Sequence, residues 1–152
     1  NEIEIEDDDT FVNHWKGRYL TSNTLLKETQ ETIGERYAFL RGPMNNHTLL
    51  TFGFLYNFQS NCEITTVERV QEVIEQPWFA NVLSGAEGDF DAIVVLAHMG
   101  ATDPLVVVLL EKIREVCGEF MAVQFITGHT HVRSYHIVDD YSTSFEAGRY
   151  LD

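Results

Sequence analysis

The stretch from Phe90 to His131, FDAIVVLAHMGATDPLVVVLLEKIREVCGEFMAVQFITGHTH, decides the fold. It opens on a continuous apolar run, Phe90 to Ala97, the pattern of a strand covered on both faces. Asp103-Pro104 then supplies a helix N-cap followed by proline at the first helical position. Leu105, Val108, Leu109, Ile113 and Val116 recur at helical spacing and form an apolar stripe. Glu111, Lys112, Arg114 and Glu115 take the wet side, and Gly118 is the expected stop. Phe120 to Thr127 is a second apolar run. A strand, a helix and a strand in that order imply two parallel strands joined by a right-handed crossover.

Working outward, Glu35 to Arg41 alternates polar and apolar residues, Gly42 to Asn46 carries turn chemistry, and Thr48 to Leu55 is more apolar. Together they predict a hairpin whose second strand is buried. Arg18 to Asn23 reads as a short strand ending in polar loop residues. Val67 to Leu83 has helical spacing that Pro77 should split in two. Downstream, Arg133 to Val138, the Asp139-Asp140 turn and Tyr141 to Glu146 predict a second hairpin. The class is α/β, with antiparallel hairpins flanking a parallel unit and one domain across residues 1–152.

Composition narrows the function. Apolar residues make up 44% of the 152, enough for a sizeable core, and the net charge is −14. An acidic chain gains nothing by releasing phosphate counterions, so nucleic acid and anionic membrane surfaces are poor partners. No apolar run approaches the roughly 18 residues of a membrane span. Six acids crowd the first nine positions, read as a solvated, flexible terminus over residues 1–10. Cys62 and Cys117 lack CxxC spacing and are too few for a disulfide scaffold. A pair in an oxidising compartment and two buried thiols both stay open. Asn46-His47-Thr48 is a formal N-glycosylation sequon. The chain starts with Asn1 and not Met, and is expected to be a processed or excised piece.

Chemistry concentrates where the two central strands end. The first runs into Ala97-His98-Met99-Gly100 and the second into Gly128-His129-Thr130-His131. In open α/β sheets ligands bind beyond the carboxyl ends of the strands, and adjacent parallel strands bring both loops to one edge. Three imidazoles then converge, and imidazole nitrogen binds zinc, iron or manganese at roughly 2.0–2.2 Å. His14, His47 and His136 stand outside that pattern and read as surface or packing residues.

At these residues the sequence resembles the calcineurin-like metallophosphoesterases, whose later motifs are Gly/Ala-His and Gly-His-x-His at successive strand ends. Arg18-Tyr-Leu-Thr-Ser-Asn23 and Phe145-Glu-Ala-Gly-Arg-Tyr-Leu151 are similar to flanking segments of the 5′-nucleotidase branch. The resemblance implies a sandwich of two mixed sheets with helices outside. It implies that His98 and His129 ligate one metal and His131 the other. It also implies hydrolysis of phosphate esters, nucleotides among them, with two divalent ions (Zn, Mn, Fe or similar) activating water and offsetting phosphoryl charge. That branch is commonly exported, so a secretory, vacuolar or extracellular location is expected.

The family's earlier motifs, Asp-x-His, Gly-Asp-x-x-Asp and Gly-Asn-His-Glu/Asp, do not occur here. Gly88-Asp89-Phe90-Asp91 has the wrong spacing, and Asn13-His14 is preceded by Phe11-Val12 and followed by Trp15. The chain is therefore expected to be the C-terminal part of a catalytic domain whose N-terminal part, a partner for folding and catalysis, lies upstream. Two divalent ions bring four positive charges that three neutral imidazoles cannot offset, so the 152 residues alone are expected to be inactive. Asp139, Asp140 and Glu146 are the carboxylates in reach as substitutes, although a hairpin turn explains the first two. The alternative is a non-catalytic phosphoesterase-like scaffold or a structural-zinc interaction module. A nucleotide-binding regulator is disfavoured because no glycine-rich phosphate loop joins a strand to a helix.

Overall fold

Long apolar strands separated by helical crossovers can lie parallel, and four segments of this chain do. The computed structural model describes residues 11–59 and 63–149, so the acidic run, Cys62 and the end of the Phe145–Leu151 segment lie outside the described residues. The elements are α1 (Phe11–His14), β1 (Thr24–Leu26), β2 (Tyr37–Arg41), β3 (Thr48–Leu55), β4 (Thr65–Val67), α2 (Val70–Val73), α3 (Pro77–Leu83), β5 (Ala92–His98), α4 (Pro104–Cys117), β6 (Ala122–Thr127), β7 (Ser134–Asp139) and β8 (Ser142–Glu146). A six-stranded mixed sheet has the order β2-β3-β5-β6-β8-β7, and β1 pairs with β4 in a two-stranded sheet. β3, β5, β6 and β8 run parallel, with β2 and β7 antiparallel at the edges. Both expected hairpins are present, as β2–β3 and β7–β8.

The helix layer covers one face. Leu50, Phe52 and Phe54 of β3, Ile93 and Val95 of β5, and Val123 and Phe125 of β6 pack against Val70, Val73, Phe79, Val82, Leu109 and Ile113 of the helices. The rings of Phe52 and Phe79 lie 5.0 Å apart at the centre of that core. Asp103 caps α4 by accepting from the Leu105 N–H at 2.9 Å. Gly118 ends the helix at φ 84°, a conformation that favours glycine.

Three expectations need correction. Val67 belongs to β4 and the helical segment starts at Val70, because β-branched Thr65-Thr66-Val67 pairs with β1. Arg18 to Asn23 is not a strand; only Leu20 makes an isolated bridge, to Glu35. Its Ser22 and Asn23 are buried and bond through their side chains. Asn23 donates to the carbonyls of Leu55 (2.7 Å) and Glu68 (3.0 Å) and accepts from the Leu55 N–H (2.9 Å), while Ser22 donates to the Arg36 carbonyl (2.6 Å). This segment also needs Gly53, since a Cβ there would lie 2.5 Å from the Leu20 carbonyl oxygen.

Third, β5 and β6 are not covered on both faces. Leu96, Ile126, Phe145 and Tyr135 stand in one register row across β5, β6, β8 and β7. Their exposures are 40%, 38%, 38% and 65%. The apolar character of these strands matches two covered layers, and the described residues supply one.

Candidate metal centre

Register fixes where the site lies. Leu55 pairs with His98, Ala97 with Thr127, and Thr127 with Glu146, so the carboxyl ends of β3, β5, β6 and β8 reach the same edge. His98 is the last residue of β5. Past β6 the Gly128 N–H donates to the Met99 carbonyl (3.1 Å), tying the two strand-end loops together. Gly100 packs under this junction, where a Cβ would meet Thr130 Cγ2 at 2.9 Å.

The sheet edge brings two of the three histidines into contact. His98 Nε2 and His129 Nδ1 are 3.1 Å apart, with ring centroids 5.0 Å apart at 74°. One of these nitrogens donates and the other accepts. Burial holds the His98 imidazole below its ordinary value, with His129 and then His131 adding to the effect against the opposing charge of Glu146. His98 is thereby kept in the form that offers a lone pair to a cation.

His131 shares the turn but not that contact. His129 and His131 adopt φ of 111° and 61°, sparsely populated for residues other than glycine. The main chain of this turn bonds to Glu146, only 3% exposed. Its Oε1 accepts from the N–H groups of Thr130 (2.6 Å) and His131 (3.0 Å), and its Oε2 from Ala101 (3.4 Å). Tyr56 at the end of β3 flanks the pair, its ring 4.7 Å from His129 and its N–H bonded to the His98 carbonyl at 3.3 Å.

The other candidates lie elsewhere. His47 is beside Asp91 at 3.4 Å, at the opposite end of the sheet. His136 is exposed on β7, and His14 lies in α1. Arg114 holds Asp139, and Asp140 occupies the exposed turn. Burial pushes the Cys117 thiol up, and it donates to the Leu83 carbonyl (3.3 Å), which describes a packing residue.

Among the described residues no group of three or more His, Cys, Asp or Glu side chains is arranged to hold a metal ion. Two imidazoles with facing nitrogens fit part of the coordination sphere of a borderline cation such as zinc. The one carboxylate at the edge, Glu146, is already bonded to main-chain N–H groups. The donor set therefore fits one side of a metal site. Sequence reasoning weighed Glu146 as a substitute ligand and missed both its actual bonds and Tyr56. An acid in phase with buried Ser142 and Ser144 was the available signal for the first.

No family model matches the chain. It is 31% identical over 147 residues to an uncharacterized protein of Schizosaccharomyces pombe, covering 93% of this chain and 24% of that protein. It is 30% identical over 155 residues to a protein of Arthroderma benhamiae described as secreted, covering 95% of this chain and 23% of that one. The chain thus spans about a quarter of the length of these relatives. Among solved structures, the 5′-nucleotidase of Candida albicans superposes with a TM-score of 0.84 at 26% identity, over 94% of this chain and 27% of that one. Its fold is that of part of a 5′-nucleotidase-like domain. The sulfate thiohydrolase SoxB of Thermus thermophilus shares the fold alone, with a TM-score of 0.53 at 22% identity over 85% of this chain and 22% of that one. Within this 5′-nucleotidase-like fold, the paired histidines mark the edge at which four parallel strands end.

Proposed function

We propose that residues 1–152 form the C-terminal part of the catalytic domain of a metal-dependent phosphoester hydrolase of 5′-nucleotidase type. The observation that carries this reading is the facing of His98 Nε2 and His129 Nδ1 across the tips of adjacent parallel strands. Packing alone has no need of two imidazoles there, and a nitrogen-loving cation does. In this reading His98 and His129 hold one of two divalent ions (Zn, Mn, Fe or similar) and His131 the other. The metals, when bound, supply Lewis acidity at a phosphoryl oxygen and lower the pKa of water. The chain's own part is to hold ring nitrogens at fixed spacing and to shield one side of the site with Tyr56.

The carboxylates that neutralise the ions come from the remainder of the same polypeptide, which also covers the row Leu96, Ile126, Phe145 and Tyr135. That the relatives are about four times longer supports this. Substrates are nucleotides or related phosphate esters, a reading that the 5′-nucleotidase neighbour supports. The relative described as secreted and the exposed Asn46 sequon support export through the secretory pathway. The second reading, a non-catalytic scaffold or structural-zinc module, is favoured by the lack of a complete donor group among the described residues.

A screen of nucleotides and aryl phosphates with the full-length polypeptide, with and without added manganese or zinc, separates the two. Turnover that needs metal supports the enzyme. A tightly bound ion with no turnover on any ester supports the scaffold.

A further inference from the structure

We propose that Glu146 is a positioning residue, a buried latch that locks the His129–His131 turn onto the loop after β5 and so sets the spacing of the His98 and His129 rings. The inference rests on the metal-centre reading above.

Three main-chain N–H groups from two loops converge on this one side chain: Thr130 and His131 from the loop after β6, and Ala101 from the loop after β5. With an exposure of 3%, the Glu146 side chain is screened from bulk solvent. The turn it holds needs holding. His129 and His131 are non-glycine residues at positive φ, and such conformations persist only where surrounding contacts over-determine them. The close approach of Gly100 to Thr130 Cγ2 means that a shift of one loop displaces the other.

Removing the carboxylate takes away the acceptor that the N–H groups of Thr130, His131 and Ala101 share and frees the turn to relax toward ordinary φ values. The paired rings then lose their fixed separation although neither histidine is altered. Glutamine in its place retains a carbonyl acceptor for Thr130 and His131 but turns an amide NH₂ toward the Ala101 N–H. Its effect is therefore intermediate, and alanine's is full.

The test uses the full-length polypeptide as wild type, Glu146→Gln, Glu146→Ala and Phe79→Leu, the last a core variant in α3 that lowers stability away from the site. Zinc affinity is read by chelator competition, together with the thermal midpoint and with hydrogen exchange of the peptide covering residues 128–133. The latch predicts about 10–100-fold weaker zinc binding in Glu146→Ala. It also predicts partial rescue in Glu146→Gln, and faster exchange of that peptide in both. Phe79→Leu should lower the midpoint and leave both site readouts near wild type. Zinc affinity and exchange in Glu146→Ala no worse than in Phe79→Leu would overturn the proposal. If the wild type binds no metal, the metal-centre reading fails and the exchange data alone decide the latch. If Glu146→Ala does not fold, the same comparison is made with Glu146→Gln, where unchanged exchange overturns it.

Discussion

Asp139 and Glu146 close opposite ends of the β7–β8 hairpin, and each is a carboxylate placed to accept N–H groups. Asp139 takes two bonds from the Arg114 guanidinium, at 2.8 and 3.1 Å, and one from the Tyr141 N–H at 2.9 Å. The guanidinium holds its carboxyl well below the usual carboxylate range, against a smaller opposing effect of burial. A depressed acid stabilises the fold at pH values above its unfolded value, near 3.9, and loses that contribution as pH falls below it. Asp139→Asn is therefore expected to cost about 1 kcal/mol at pH 7, given how open to water the pair is, and progressively less below pH about 4. Denaturation of the full-length wild type and variant at the two pH values checks this. Glu146 shows where sequence reading stops at this scale. Its partners are main-chain N–H groups 15, 16 and 45 positions away, and main-chain groups carry no residue signature. His98 and His129 were legible as a pair because strand-end position is itself a geometric statement once two strands are parallel.

Among the elements, those whose boundaries are fixed by side-chain chemistry were readable in advance. α4 begins where Asp103 caps it and ends at Gly118, as the residues dictate. Asp103→Ala is expected to lower stability by about 1 kcal/mol without altering zinc affinity. Thermal melts of the full-length variant, followed by chelator competition, measure both. The strand around Val67 was missed because Thr and Val serve a strand as well as the first turn of a helix, and its partner, β1, is three residues long. Arg18 to Asn23 was misread for the opposite reason. Its hydrogen bonds run through buried Ser22 and Asn23 side chains, so extended chain forms there without a ladder.

At the scale of the whole molecule, the described residues form a sheet covered by helices on one face. One face packs on helices and the other presents an apolar row beside the histidine edge, with an open groove running past Leu20, Leu96, His98 and Ile126. This was not legible, since apolar runs reveal that a strand will be buried and not by which part of a polypeptide. Expressed alone, the 152 residues are expected to bind a hydrophobic dye, to self-associate and to show no phosphoesterase turnover. A monodisperse isolated chain that leaves the dye dark would contradict this account of the open face. The central claim, that the strand-tip imidazoles hold a divalent ion for phosphoester hydrolysis, is tested most directly on the full-length polypeptide. The measurement is metal content per chain by mass spectrometry, paired with p-nitrophenyl phosphate turnover, in wild type, His98→Ala and His129→Ala. The account predicts the loss of at least one bound ion and at least about 100-fold of turnover in each variant; metal content and turnover equal to wild type in both would contradict it.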